Sequence, residues 1–184
     1  MYNEDLTIRR AARHEISAIE AVGVAAYTEF SRQVPPPIFS AYIDDLRQLQ
    51  SHWDEAEVMV AEVGGIIAGS VLFYADASTE GLGLPKGWTG FRKLAVRPDM
   101  RGRSLGRSLV NSCVERSRQL EAPAVGIHTV SFMTAACTIY EQIGFHRCPE
   151  YDLTAADMLA VDTMDEIKVL TYRLDLACTD RKET

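Results

Sequence analysis

"VRPDMRGRSLGRSLV", residues 96–110, combines four arginines and two glycines with a proline turn. It follows the β-rich run "FRKLAV" (91–96), turns at Pro98, and enters an apolar pattern with helical spacing over residues 104–120. Arginine is the commonest residue of the stretch, although the whole chain has a net charge of -7. A helix N-terminus offers unpaired N–H groups and the positive end of the helix dipole, and glycines leave this backbone uncovered. We therefore expect a strand–turn–helix unit that holds a phosphate-bearing ligand.

Two other phosphate-binding motifs fit this stretch poorly. A P-loop needs G-x-x-x-x-G-K-[ST], and the stretch has no such lysine. A dinucleotide-binding fingerprint needs G-x-G-x-x-G after the first strand of a parallel unit, whereas here the glycines are spaced differently and the strand is the fourth. A helix start with a solvated basic face is the alternative that the stretch alone leaves open.

The length and composition indicate one globular domain. The chain has 184 residues, 47% apolar and 24% charged, so a single domain over residues 1–184 with a real core is expected. The acidic balance argues against general binding to nucleic acid or to an anionic membrane surface. The basic cluster is therefore expected to serve a small, local ligand.

Cysteine usage and hydropathy exclude several further classes. The cysteines, at positions 113, 137, 148 and 178, form no CxxC pair, and they predict neither a zinc site nor a disulfide framework. We expect no metal and reduced thiols, as in a cytoplasmic protein. No apolar run approaches ~18 residues, and the first ten residues lack an apolar signal region, so neither a membrane span nor a secretion signal is expected.

Hydrophobic periodicity gives the order of the elements, β-α-α-β-β-β-α-β-α-β-β. Hairpins combined with βαβ crossovers predict an α/β (α+β) fold, a mixed sheet with helices packed on it. "VPPP" (34–37) separates the first two helices, Gly64-Gly65 joins a hairpin, and residues 77–90 and the acidic stretch 154–166 are expected to be loops. The expected strands are 6–11, 57–63, 65–76, 91–96, 124–130, 145–153 and 167–176, and the expected helices 15–30, about 39–49, 104–120 and 134–143.

A second motif, "AACTIYEQIGF" (135–145), follows the next strand and completes a resemblance. The first motif matches V-x-P-x-x-[RQ]-G-x-G-x-G/A through Val96, Pro98, Arg101, Gly102, Ser104 and Gly106. The second matches N-x-x-A-x-x-x-Y-x-x-x-G-F through Ala136, Tyr140, Gly144 and Phe145. Together, over residues 91–146, they resemble the GNAT superfamily of acyl-CoA-dependent N-acyltransferases, and the rest of the chain resembles it in topology. Ser104 replaces a usual glycine, and Met133 replaces an asparagine that often contacts the pantetheine arm.

This resemblance implies a fold and a cofactor site. The fourth and fifth strands splay apart, and the acyl-pantetheine arm of acetyl-CoA enters the gap and pairs with the fourth strand. The loop before the long helix wraps the pyrophosphate, with Arg97, Arg103 and Arg107 as candidates for the phosphates. The implied cofactor-binding residues are Leu94, Ala95, Val96, Arg101, Gly102, Arg103, Ser104, Leu105, Gly106, Arg107, Met133, Ala136 and Tyr140.

The implied chemistry is direct attack of a neutral amine on the thioester. A backbone N–H near Ala95 or Val96 would stabilise the oxyanion. Tyr140 occupies the family's general-acid position, and a phenol with a pKa near ~10 can donate a proton at neutral pH; a core aromatic is the alternative. His128 is the best candidate for a general base on chemistry. Two alternatives are open. His128 is a partly buried structural histidine, or a water chain that leads from a carboxylate removes the proton.

The acceptor is expected to be a primary amine on a small molecule or a peptide. Acids on the first two helices and the late loop would attract a cationic amine or would form a solvated face; they include Glu29, Asp44, Asp45, Asp157, Asp162, Asp165 and Glu166. Trp88 lines the acceptor pocket or belongs to the core. A homodimer through the late strands is open, and the rival function is a CoA-binding sensor that has lost turnover.

Overall fold

The computed structural model describes residues 6–79, 82–163 and 166–176, so Cys178 and Asp165 lie outside the described residues. The described chain forms an eight-stranded mixed sheet in the order β1-β2-β3-β4-β5-β8-β6, with β7 paired to β8. Six α-helices cover it. The strands are β1 Leu6–Arg10, β2 Glu57–Val63, β3 Ile66–Tyr74, β4 Thr89–Val96, β5 Ala124–Thr129, β6 His146–Arg147, β7 Leu153–Thr154 and β8 Lys168–Asp175, and the helices α1 Ile16–Tyr27, α2 Pro36–Leu46, α3 Leu49–His52, α4 Leu105–Gln119, α5 Thr134–Ile143 and α6 Ala155–Leu159.

The parallel pair β4–β5 opens the sheet at its centre. The other strand pairs are antiparallel, and β4 pairs with β5 only over residues 89–91. Gly90 lies opposite Gly126, and a Cβ on Gly90 would lie 2.9 Å from the Gly126 carbonyl oxygen, so the strands approach where they carry no side chains. Beyond Phe91 they separate. The predicted mixed sheet and its splayed central strands are therefore confirmed.

A bulge in β4 lies beside this opening. The register with β3 shifts between Ser70, opposite Ala95, and Leu72, opposite Arg92, which leaves one extra residue in β4. Lys93 in this segment has φ +54°, a left-handed conformation that costs a residue with a side chain. One extra residue in a strand re-aims the side chains around it. Here both Arg92 and Lys93 reach toward Asp45 of α2.

Helices cover both faces of the sheet and bury two apolar cores. The helical pattern of α4 buries Leu105, Leu109 and Cys113 against β3, β4 and β5, and α5 adds Tyr140. The opposite face packs Ile19 of α1 and Leu49 of α3 against the sheet. Each helix therefore buries its apolar stripe, and the site lies between the two layers at the β4–β5 gap.

The structure corrects several expected boundaries. The second helix begins earlier, because a proline fits the first helical position, and it ends at Leu46 before the short α3. The expected strand 145–153 is wrong: it divides into β6, a 3₁₀ turn at Pro149–Tyr151 and β7, since Pro149 cannot donate to a ladder. The acidic stretch 154–166 is not only a loop. It contains α6, which the hydroxyl of Thr154 caps by accepting a hydrogen bond from the Asp157 amide at 3.1 Å.

Cys113, Cys137 and Cys148 are free thiols. In the described segments, no helix is long and apolar enough to cross a membrane.

Candidate functional site

A cavity of about 690 Å³ occupies the gap between β4 and β5. Its walls are β4, the loop that leads into α4, the end of β5, the start of α5, and helices α2 and α6. The two sequence motifs, which form the start of α4 and the start of α5, therefore meet at one cavity.

Most residues that the sequence singled out line this cavity. Both catalytic candidates, Tyr140 and His128, are among them. Arg97 and Arg103, both expected near the cofactor phosphates, are not among the lining residues. The others that line the wall are Leu94, Ala95, Val96, Arg101, Gly102, Ser104, Leu105, Gly106, Arg107, Met133 and Ala136.

The loop before α4 has the conformation that exposes a helix N-terminus. Gly102 has φ +78° and Ser104, the N-cap residue, has φ +61°. Within the described chain, the Ser104 side chain makes no capping hydrogen bond. The first N–H groups of a helix have no acceptor inside it, and α4 is 15 residues long, so its dipole favours an anion here. These features fit the pyrophosphate of a CoA ester.

A side chain at Gly106 would crowd this part of the wall. Its Cβ would lie 3.2 Å from Cδ1 of Ile139 on α5, closer than ordinary packing distances. Glycine at this position therefore lets α4 and α5 approach each other while the backbone stays open to the cavity.

The arginines of the opening stretch have different partners. Arg101 forms an ion pair with Glu29 at 2.6 Å and donates to the Ala26 carbonyl at 3.2 Å, so it ties the loop to the end of α1. Arg97 pairs with Asp99 at 2.7 Å and does not line the cavity, and Arg107 contacts Gln142 on α5. Of the three arginines expected at the phosphates, only Arg107 lies on the cavity wall.

Tyr140 lies deep in the wall, on the face of α5 that meets the sheet. Its side chain is 4% exposed, and its ring lies 5.9 Å from that of Phe91 and 5.8 Å from that of Phe145. Burial raises the pKa of its phenol well above the usual value. Tyr140 is therefore both a core aromatic and a protonated donor at neutral pH.

His128 lies on the cavity wall near the end of β5, close to Arg92 of β4 and to Tyr151. Burial, and second the nearby Arg92 guanidinium, lower its pKa to about 4, while the Tyr151 carbonyl acts weakly in the opposite sense. The imidazole is therefore neutral at pH 7. A ring with so low a pKa is a weak base, which argues against removal of a proton from a free ammonium.

A pair of tyrosines holds the bulged strand. The Tyr27 hydroxyl donates to the Leu94 carbonyl at 3.0 Å, and the Tyr27 and Tyr42 ring centroids lie 5.0 Å apart. Both rings line the cavity, and burial raises the pKa of each phenol. The pair therefore supports the strand segment that the resemblance assigns to the pantetheine arm.

Asp45 is bound inside a buried charge cluster and does not face an incoming ligand. Lys93 Nζ lies 3.0 Å from an Asp45 carboxylate oxygen, and the His52 ring lies 3.1 Å from the other. Burial opposes ionisation of Asp45, but the contacts with His52 and Lys93 outweigh it and lower its pKa to about 2. Burial lowers the pKa of Lys93. The cluster anchors α2 to the bulge of β4.

The acids expected to attract a cationic amine do not form an acidic pocket. Among the described lining residues, Glu29 is the one acid, and Arg101 neutralises it. Asp44, Asp157, Asp162 and Glu166 are exposed and lie outside the lining, as a solvated face would. Trp88 is a core residue: it is 8% exposed, it contacts the Tyr151 ring at 5.7 Å, and it does not line the cavity.

Sequence reasoning missed part of the wall. It did not single out Arg92, Phe132 or the α6 residues Ala155, Met158 and Leu159, which all line the cavity. One signal was available for α6, because Thr154 and Asp157 have the spacing of a capping box. Among the described residues, no group of three or more His, Cys, Asp or Glu is placed to hold a metal ion.

Comparisons with known proteins agree with this geometry. The family model for the acetyltransferase (GNAT) family matches residues 23–145, which is more than half of the chain. No curated protein sequence matches the chain significantly.

Several solved structures share the fold at low sequence identity. YncA from Salmonella typhimurium, solved with its cofactor acetyl-CoA, is 18% identical with a TM-score of 0.66, over 94% of this chain and 95% of that one. The ribosomal-protein-S18-alanine N-acetyltransferase from Escherichia coli is 13% identical with a TM-score of 0.67, over 98% and 99%. A GCN5-related N-acetyltransferase from Rhodopseudomonas palustris is 14% identical with a TM-score of 0.70, over 96% and 99%.

Proposed function

Because this chain belongs to the GNAT acetyltransferase family, we propose that it transfers the acetyl group of acetyl-CoA to a primary amine. The observation that carries the proposal is one continuous cavity that joins the N-terminus of α4 to the Tyr140 side chain. An anion site and a buried proton donor on one wall are what acyl transfer from a CoA thioester needs. A fold neighbour solved with acetyl-CoA supports the choice of donor.

The residues present fit acetyl-CoA, which would supply an acetyl group activated as a thioester. The first-turn amides of α4 and the loop at Gly102 would hold the pyrophosphate, with Arg107 as the cationic side chain on that wall. The segment of β4 from Leu94 to Val96, which β5 no longer pairs, would pair with the pantetheine arm. Met133 and Ala136 of the α5 start would pack against the arm.

Tyr140 is proposed as the acid of the reaction. Its buried phenol keeps its proton at neutral pH, so it can donate to the sulfur as the sulfur gains negative charge. Backbone N–H groups near Ala95 would stabilise negative charge that develops on the carbonyl oxygen.

His128 is proposed as a hydrogen-bond acceptor for the amine rather than as a strong base. The amine reacts in its neutral form, having lost its ammonium proton to solvent before it binds. With a pKa of about 4 the His128 ring is also neutral, so it can accept a hydrogen bond from this amine. The protons of the amine become more acidic once its nitrogen begins to bond to the carbonyl carbon. A weak base at this position can then accept one, so that a second strong base is not required.

We also propose that the enzyme works in the cytoplasm, which is consistent with its free described cysteines. The alternative is a CoA-binding sensor without turnover, and the position of Tyr140 on the cavity wall favours the enzyme over it. A homodimer remains a prediction, which a measurement of molar mass by light scattering would test.

The proposal is tested by binding and turnover together. Calorimetry with acetyl-CoA and with its 3′-dephospho form should show binding that weakens when the 3′-phosphate is lost, and thiol release should then depend on an added primary amine. Binding without amine-dependent thiol release across a broad amine panel would favour the sensor. Absence of binding would refute the cofactor assignment.

A further inference from the structure

The cavity extends past the reaction centre into an apolar space, which we call the acceptor chamber. Aromatic rings and aliphatic side chains form it where α2 meets α6. Its residues are Phe30, Ile38, Phe39, Phe132, Met158, Leu159 and Ile167. The Phe30 and Phe132 ring centroids lie 5.6 Å apart, so the turn after α1 and the start of α5 close one side.

The chamber is distinct from the part of the cavity assigned to the cofactor phosphates. Helix α2 packs against α6, whereas α4, whose first turn is proposed to bind the phosphates, packs against α5. Between them lie β4 and His128, where the proposed function would place the thioester. A second substrate that reaches the thioester from the chamber would not cross the phosphate-binding loop.

The charges on the wall disfavour a polycationic acceptor. Glu29 is the one acid among the described lining residues, and its carboxylate is held by Arg101 at 2.6 Å. Four lining side chains are basic, but Arg101 is paired with Glu29, and Arg92 and Lys93 lie beside Asp45. A diamine or a lysine-rich peptide would therefore find no unpaired acid among the described lining residues to bind its second ammonium.

From the apolar lining and the charge pattern, we propose that the acceptor is a monoamine that carries a bulky apolar group about the size of an aromatic ring, held in the acceptor chamber. The inference rests on the proposed function, because it names the class of amine for the same site. Burial of the apolar group supplies binding energy, and the short link between this group and the nitrogen brings the amine to the thioester.

Three amines provide the primary test: 2-phenylethylamine, ethylamine and 1,4-diaminobutane. We expect kcat/KM for 2-phenylethylamine to exceed that of each other amine by about tenfold or more, as a filled apolar pocket gives. Equal values, or a preference for the diamine, would overturn the inference.

A matched pair of substitutions locates the effect. Leu159→Ser makes the chamber polar at a half-buried position, and Leu120→Ser makes the same change at the end of α4, where the side chain is 39% exposed. Leu159→Ser should lower kcat/KM for 2-phenylethylamine about tenfold and leave that for ethylamine within about twofold. Leu120→Ser should change neither. Equal losses for both amines in Leu159→Ser would contradict the chamber's role.

A second variant and a folding control keep the test decisive. Phe39→Ser, on α2, should reproduce the selective loss, and acetyl-CoA affinity measured by calorimetry should stay at the wild-type value in both chamber variants. If hexanoyl-CoA outperforms acetyl-CoA with ethylamine, the chamber holds an acyl chain and the inference is overturned.

Binding separates failure of this inference from failure of the proposed function. Calorimetry of the three amines with the protein–CoA complex is read beside turnover. Absence of amine-dependent thiol release with these three and with the broad amine panel contradicts the proposed function, and selective binding of 2-phenylethylamine would still support the chamber. Turnover without preference leaves the proposed function intact and refutes the chamber.

Discussion

Replacement of His128 by glutamine should make the protein less sensitive to mild acid. In the folded chain the ring is buried near the Arg92 guanidinium, and these two influences lower its pKa to about 4; the Tyr151 carbonyl and the Asp152 carboxylate oppose them. In the unfolded chain its pKa returns to about 6.5. Between these values the unfolded chain binds more protons at this position than the folded chain does.

The sign and size of the effect follow from proton linkage. Stability associated with His128 is fully present above about pH 6.5 and is lost as the pH falls toward 4, because protonation then favours the unfolded chain. The difference between a pKa of about 6.5 in the unfolded chain and about 4 in the folded chain limits the loss of unfolding free energy to about 3 kcal/mol. About 2 kcal/mol of it should be lost by pH 5. Glu15 and Asp45, with pKa values of about 2, respond mainly at lower pH.

Urea unfolding at pH 7.5 and pH 5.0 measures this difference. The wild type should lose about 2 kcal/mol more unfolding free energy than His128→Gln between the two pH values. Their other titrating groups are the same, so their contribution cancels in the comparison. If the two proteins lose the same free energy within about 0.5 kcal/mol, the ring is not held neutral by its surroundings and the reasoning is refuted.

Three further substitutions test the site and its support. Tyr140→Phe keeps the ring packing and should lower kcat about a hundredfold with little change in acetyl-CoA affinity; a normal kcat would remove the acid role. Gly106→Trp should abolish acetyl-CoA binding by calorimetry, and unchanged affinity would place the pyrophosphate elsewhere. Asp45→Asn leaves Lys93 without its carboxylate and should cost about 3 kcal/mol in urea unfolding, whereas the exposed neighbour change Asp44→Asn should cost less than about 0.5. Similar costs for the two would contradict a buried ion pair.

The parts of the site that local sequence specifies were predictable. Turn residues and helical periodicity specify the strand–turn–helix unit at 96–110, and the second motif placed Tyr140 on the correct face of α5. The opening between β4 and β5 followed from the resemblance. The close contact of Gly90 with Gly126, where neither strand carries a side chain, could not be predicted, because it depends on the pairing register of two distant strands.

The parts that depend on long-range contacts were not predictable. No pattern in "FRKLAV" predicts that Lys93 adopts a positive φ, because the bulge is stabilised by an ion pair between Lys93 and the distant Asp45 on α2. Glu29 is a second example. The sequence predicts a carboxylate that could bind an amine, but in the fold Arg101 neutralises it. Charge patterns in a sequence do not show which charges neutralise each other.

The acceptor side of the cavity was the least predictable. Its wall combines α2, α6 and the start of α5, which lie far apart in the chain. The short helix α6 has too few residues for periodicity to reveal it, and only its Thr154 cap left a local signal.

The most direct test of acetyl transfer is to follow a labelled acetyl group. The purified protein is incubated with acetyl-CoA deuterated in its methyl group and with 2-phenylethylamine, and the products are analysed by mass spectrometry. The deuterated acetyl group should appear on the amine nitrogen, with one free CoA thiol formed for each acetylated amine. Thiol release with the label found only in acetate, or no release above the rate without protein when a broad panel of primary amines replaces 2-phenylethylamine, would contradict the proposal that this protein is an amine acetyltransferase.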